Sequence, residues 1–300
     1  MKPTVFIQAN HRQLLGARIA AHSYKSRSAK PDSFNVRIIT TDEYPRLQQS
    51  GQSILRGGQV VAWNPDDLQS FTPLRFAPPT LMRFQGRAVV TDPDCFAVGD
   101  VAELFARDME AKAIMAVQRL GKGKRPSYLA SSVMLLDCAK LKHWDFEPLL
   151  DGLFARQFDY LDWVALKLEE PDTLGLLEPE WNSFDQLTPS TKILHTTKRR
   201  TQPWKTGLPV DFVARSRGPL DLLKKLRPDR YRVHPDPNQE AFVYSLLAEL
   251  VDSGGVTKEE LVAEMAADHI RHDSLQLVDR YRGCSASAAA EQPQHRFARR

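Results

Sequence analysis

Two observations predict an α/β fold: short β-branched runs alternate with helically spaced segments over the first two thirds of the chain, and the last part shows helical spacing alone. With 42% hydrophobic and 26% charged residues, the chain has enough apolar material for one sizeable core and a smaller annex. Thr4–Ala9 reads as a strand and passes at once into Leu14, Leu15, Ala17, Ala20 and Ala21 in helical spacing. Phe34–Thr40 repeats the strand signal, and Val60–Ala62 repeats it more weakly. Arg87–Thr91 has few polar interruptions, as a strand covered on both faces should. Within Thr72–Arg83, Pro78 and Pro79 start or break helical turns. Val101–Phe105 then reads as a short helix, Ile114–Val117 and Ser132–Leu136 as buried strands, and Phe158–Leu168 as a helix.

Beyond Asp211 the composition changes. Arg215–Arg232 is basic, interleaved with Leu220, Leu222, Leu223 and Leu226. Its two readings are contact with an anionic membrane surface and a helix that packs its leucines on the preceding domain; the break at Pro228 favours the second. Gln239–Val251 and Thr257–Tyr281 carry apolar residues three and four apart, on either side of a turn at Gly254-Gly255, and Thr257 with Glu260 forms a capping-box signature. Ser285–Arg300 has little to bury and is expected to be disordered. The expected organisation is an α/β domain over 1–208, a basic segment and helical annex over 209–284, and a tail over 285–300.

The bulk charge narrows the partners. A net charge of +4, from 41 basic and 37 acidic residues, is too small an excess to imply nucleic acid over the whole surface. Cys95, Cys138 and Cys284 show no repeating spacing, so neither a disulfide framework nor a zinc knuckle is expected, and a reducing cytoplasm fits best. The apolar run Val5–Ile7 is too brief for a signal-peptide core.

The sharpest local feature is Val89-Val90-Thr91-Asp92-Pro93-Asp94, a buried-type strand ending in two carboxylates one residue apart. In extended backbone those two side chains point to one side, and Pro93 stops the strand there. Acids at a strand's carboxyl end lie where open α/β sheets bind ligands, and their oxygens suit Mg²⁺ or Mn²⁺ bridging phosphates. Asp-x-Asp alone is also a common turn.

The longer pattern goes further. Leu74-Arg75-Phe76, Arg87 through Asp94, and Val98-Gly99-Asp100 running into Glu103-Leu104-Phe105 together resemble the central signature of the family 8 glycosyltransferases, to which glycogenin and bacterial lipopolysaccharide galactosyltransferases belong. Trp181-Asn182, Lys192-Ile193-Leu194-His195 and Gln202-Pro203-Trp204 are similar to that family's C-terminal element, and Ala9-Asn10-His11 with Gly16-Ala17 to its nucleotide-contacting loop. The resemblance covers Thr4 to about Trp204, in family order. It implies a GT-A-type nucleotide-sugar-binding fold with a mixed central sheet, transfer of a hexose from a nucleotide-diphosphate sugar, a UDP-sugar by the family's habit, and retention of anomeric configuration. Asp92, Asp94 and His195 would hold Mn²⁺ or Mg²⁺, with Asp92, Asp94 and Asp162 serving the chemistry. Ala9, Asn10, Gln13, Arg75, Ser131 and Lys198 would contact the donor. The acceptor, whether glycan, lipid-linked or protein, is not legible.

The chain also departs from the pattern. Gln13 stands where an aromatic commonly stacks on the base, Ala130-Ser131-Ser132 where the sugar-site Asn-Ser/Ala-Gly motif falls, Asp162-Trp163 at the Asp-Gln pair, and Gln202 before Pro-Trp. Lys198, Arg199 and Arg200 supply cations in that last stretch, suited to a departing diphosphate. A nucleotidyltransferase of related fold and a non-catalytic nucleotide-sugar-binding relative therefore stay open.

Overall fold

The structure is a computed structural model and describes residues 1–121, 123, 126–212 and 229–284. Most of the basic segment Arg215–Arg232 and all of the tail 285–300 lie outside the described residues. The chain divides into two compact units, Met1–Asn182 and Ser183–Arg300.

In the first unit the β-branched runs form a mixed sheet. Its strands are β1 (Thr4–Ala9), β2 (Asn35–Thr40), β5 (Arg87–Thr91), β7 (Ile114–Arg119), β8 (Tyr128–Asp137) and β9 (Leu174–Leu177), in the spatial order β2-β1-β5-β8-β7-β9. β1 runs parallel to both β2 and β5, β8 is antiparallel to β5 and β7, and β9 is parallel to β7. The expected strand-helix-strand opening is the right one: α1 (Leu14–Ser26) links β1 to β2 and buries Leu15, Ala17, Ile19, Ala20 and Tyr24. A hairpin of β3 (Ser53–Arg56) and β4 (Gln59–Ala62) and the short strand β6 (Cys95–Ala97) complete the strands of this unit. Its short helices are α2 (Pro45–Gln48), α3 (Pro78–Leu81), α4 (Ala102–Ala106), α5 (Phe146–Phe154) and α6 (Tyr160–Val164). One face of the sheet presents Phe6, Val90, Met134 and Leu136 to a core shared with Phe76, Trp144, Phe146 and Trp163. Within that core, Phe76 stacks on Trp163 with ring centroids 4.1 Å apart.

Two expected helices are corrected. The helix read over Phe158–Leu168 is only the five residues of α6, because Leu166 takes a φ of 57° and turns the chain. The stretch Thr257–Tyr281 is two helices, separated by a turn in which Asp268 also has a φ of 57°.

The second unit contains the parallel pair β10 (Ser183–Phe184) and β11 (Ile193–His195) and the helices α7 (Pro237–Asp252), α8 (Lys258–Ala266) and α9 (Ser274–Tyr281). Asp236 caps α7 by accepting from the Asn238 amide at 3.0 Å, with Pro237 at the first helical position. The capping box of α8 forms as the sequence predicts, Thr257 Oγ1 accepting from Glu260 N and Glu260 Oε2 accepting from Thr257 N. Phe242, Leu246, Leu247 and Leu277 are buried here.

Candidate functional site

At the carboxyl ends of two neighbouring parallel strands, β1 and β5, stand the buried polar residues Gln8, Asn10, Thr91 and Asp92. β5 ends at Thr91, and the Cys95 amide donates to the Asp92 carbonyl at 3.1 Å, so Asp92-Pro93-Asp94-Cys95 is a β-turn with proline at its second position. This corrects the extended reading of Asp92-Pro93-Asp94: turning, not strand alternation, sets the directions of the two acids. Asp92 is 5% exposed, whereas Asp94 is half-buried.

The Asp92 carboxylate is heavily used. Arg75 donates to it from Nε at 2.9 Å and from its NH2 nitrogen at 2.5 Å, and Gln8 Nε2 adds a third bond at 2.7 Å. The NH1 nitrogen of Arg75 donates to Ser131 Oγ at 2.9 Å, and that hydroxyl donates to the Val164 carbonyl at 2.6 Å. Burial disfavours the Arg75 charge, yet the carboxylate beside it holds the guanidinium above its ordinary value. Ser132, next along β8, accepts from Asn182 Nδ2 at 3.0 Å, so the aromatic-Asn pair of the sequence pattern is tied to the Ser-Ser pair.

α1 supports the turn. A Cβ on Gly16 would stand 3.0 Å from the Pro93 carbonyl oxygen, so glycine permits the close approach. The Tyr24 hydroxyl donates to the Cys95 carbonyl at 3.2 Å, and Ser23 Oγ accepts from the Ala97 amide at 2.8 Å. Burial, with Asp94 and Asp92 nearby, pushes the Cys95 thiol well up, which removes it as a nucleophile at neutral pH.

Asn10 is fully buried and donates through Nδ2 to the Asp67 carbonyl at 3.1 Å and to Ser70 Oγ at 3.0 Å. A flipped amide would set oxygen against the Asp67 carbonyl, so the orientation is fixed and Oδ1 is presented as a buried acceptor with no partner. Gln8, two residues earlier, is held the same way by Asp92, and its Oε1 is likewise unpartnered. Ala9 is fully buried between them, and Gln13 closes the following helical turn on the Asn10 carbonyl at 3.0 Å. Asp162 is not drawn into this network: it is partly exposed and pairs with Lys167 Nζ at 2.7 Å.

In the second unit His195 is buried at the end of β11, its ring 5.5 Å from that of Phe184. Its carbonyl accepts from the Asp185 and Thr197 amides at 2.9 and 3.0 Å. The Asp185 carboxylate then accepts from the Thr197 hydroxyl and, at 2.8 Å, from the Lys198 amide, which fixes the start of the basic loop. Lys198 is exposed, Arg199 lies over the Phe212 ring at 5.5 Å, and Arg200 pairs with Asp229. Gln202 is buried and donates to the Thr196 carbonyl at 3.3 Å, bracing the strand exit.

Gln8, Ser70 and Asp185 are the functional-looking residues that sequence reasoning missed. Gln8 alone left a signal, a polar side chain inside an otherwise apolar strand. Ser70 and Asp185 matter through partners distant in sequence and carry no local mark.

No family model matches the chain, and no curated protein matches it. Solved structures do. They include the WbbM bifunctional glycosyltransferase, at 12% identity over 68% of this chain and 47% of that one, with a TM-score of 0.47. The glycosyltransferase GlyE of Streptococcus pneumoniae TIGR4 follows, at 16% identity over 68% and 56%, with a TM-score of 0.48. The galactosyltransferase LgtC, solved in complex with donor and acceptor sugar analogues, is 15% identical over 67% and 89%, with a TM-score of 0.46. This chain spans about half the length of the first two.

Proposed function

We propose that the chain is a glycosyltransferase that takes a hexose from a nucleotide-diphosphate sugar, with retention, and uses a divalent cation, Mn²⁺ or Mg²⁺, to hold the diphosphate. The observation that carries this reading is the acid turn Asp92–Cys95 at the carboxyl end of β5, with Arg75 and two fixed amide oxygens, those of Gln8 and Asn10, gathered at the ends of β5 and β1. Ligands of open α/β sheets bind at such strand ends, and the sequence pattern around this turn resembles that of family 8.

A carboxylate and an imidazole suit a borderline divalent ion, and Asp94 and His195 are the residues proposed to hold it. When bound, the ion would neutralise charge on the nucleoside diphosphate leaving group. The chain's own residues do the rest. Arg75 keeps a guanidinium charge against burial and has N–H groups beyond the three used by Asp92 and Ser131, suited to phosphate or sugar oxygens. Asn10 offers a fixed acceptor to an N–H or O–H of the nucleoside. Lys198, exposed at the start of the basic loop, adds positive charge for the diphosphate as it departs. Asp162 is retained as a donor-site carboxylate on the sequence pattern alone.

The acceptor, a glycan, lipid-linked or protein, is left open. No described helix is long and apolar enough to cross a membrane. The cytoplasmic placement rests on the cysteine pattern, and membrane contact is the less favoured of the two readings of Arg215–Arg232, most of which lies outside the described residues. A hydrolysis screen of several nucleotide sugars, with Mn²⁺ and with chelator, tests the proposal: one donor should be consumed only with the ion, and a screen with no turnover and no nucleoside diphosphate binding sinks it.

A further inference from the structure

We infer that Asp92 is a positioning residue for Arg75 and not a ligand of the cation, which on this turn is left to Asp94. The inference rests on the glycosyltransferase reading and departs from the sequence pattern, which groups both acids around the ion.

Three N–H donors already occupy the two Asp92 oxygens, and two of them form the parallel fork with which a guanidinium clamps a carboxylate. The Arg75 side chain is 12% exposed and that of Asp92 7%, so the pair is screened little by water. A divalent ion on the same oxygens would stand beside a buried guanidinium of like charge. The far end of Arg75 is fixed as well, because its NH1 nitrogen bonds Ser131 and Ser131 is anchored on the Val164 carbonyl. Gln8 closes the array from β1, its amide orientation set by the carboxylate it serves. Two of the three bonds to the Asp92 side chain therefore aim Arg75, and the third anchors the carboxylate to β1. Asp94 sits two residues on, on the half-buried side of the turn.

Mn²⁺ binding followed by electron paramagnetic resonance on the full chain, with and without UDP, tests this. The proteins are the parent, Asp92→Asn, Asp94→Asn, Arg75→Met and the double variant Arg75→Met/Asp92→Asn. The double variant removes both charges together, so neither is left buried alone if one single variant fails to fold. The parent, Asp92→Asn and the double variant should bind Mn²⁺ alike, while Asp94→Asn, which removes a direct ligand, should lose more than the about 10–100-fold that losing an outer-shell partner costs. UDP affinity with Mn²⁺ should fall about tenfold in Asp92→Asn and in Arg75→Met, with no further loss in the double variant, since both act through one guanidinium. A residue with a merely structural role would not lower UDP affinity while sparing Mn²⁺. Loss of Mn²⁺ from Asp92→Asn or from the double variant, comparable to that of Asp94→Asn, overturns the inference and leaves the proposed function standing. A parent that binds no Mn²⁺ overturns both.

Discussion

At the scale of single residues, Asp92, Gln8 and Asn10 are held by partners that leave little choice of orientation. Asn10 is the clearest case. Asn10→Asp would turn an oxygen onto the Asp67 carbonyl and should destabilise the fold by about 1–3 kcal/mol, read as a lower midpoint in urea with unchanged slope. Asp94→Asn keeps the shape and removes a charge proposed to face a divalent ion; turnover should fall about 10²–10³-fold. His195→Ala should impair turnover too, and the Asp94→Asn/His195→Ala pair should be scarcely slower than Asp94→Asn alone, because both are proposed to act through one ion. Steady-state rates on folded variants check this, and effects that multiply would separate the two residues. Thiol reactivity gives an independent check on the burial. Burial pushes Cys138 up to about 12, with Asp137 adding to it, and Cys95 is raised by burial and the neighbouring acids. Cys284 is exposed. At pH 8 one thiol per chain should react rapidly with a disulfide reagent, and the other two only on denaturation.

At the scale of elements, the packing of α1 under the Asp92–Cys95 turn links helix to site. Gly16→Ala adds a Cβ 3.0 Å from the Pro93 carbonyl, and backbone gives way less readily than side chain. It should weaken Mn²⁺-dependent UDP binding by shifting the turn, even though alanine suits a helix better. Thr257→Ala, which removes one half of the α8 capping box, should cost about 1 kcal/mol and leave nucleotide binding unchanged. Legible in the sequence were β1 and β5 as runs buried along most of their length, β2 from its β-branched residues, α1 from its helical spacing and the start of α8 from its cap. α5 was not, because Phe-Glu-Pro-Leu-Leu-Asp-Gly-Leu-Phe mixes a near-continuous apolar run with Pro and Gly, and neither period stands out. β9, Leu-Gly-Leu-Leu, is a four-residue edge strand whose pairing with β7 decides it. α6 was read too long because nothing local announces the left-handed turn at Leu166. In the site, Asp92, Asp94 and Arg75 were legible from their spacing and pattern, but the bonds that engage Asp92 run from Gln8 and Arg75, 84 and 17 residues away, and are set by the fold.

At the scale of the whole molecule, the first unit has the mixed central sheet that the sequence pattern implies, here of six strands, and holds Gln8, Asn10 and Asp92 at the ends of two of them. The second unit carries His195 and the basic loop on a helical body. A divalent ion is proposed to join this chain to the diphosphate of its donor. Titration calorimetry of UDP into the full chain, once with Mn²⁺ and once with chelator, tests it most directly. Binding should be at least tenfold tighter with the ion, and equal affinity in the two titrations would show that no ion joins protein to diphosphate.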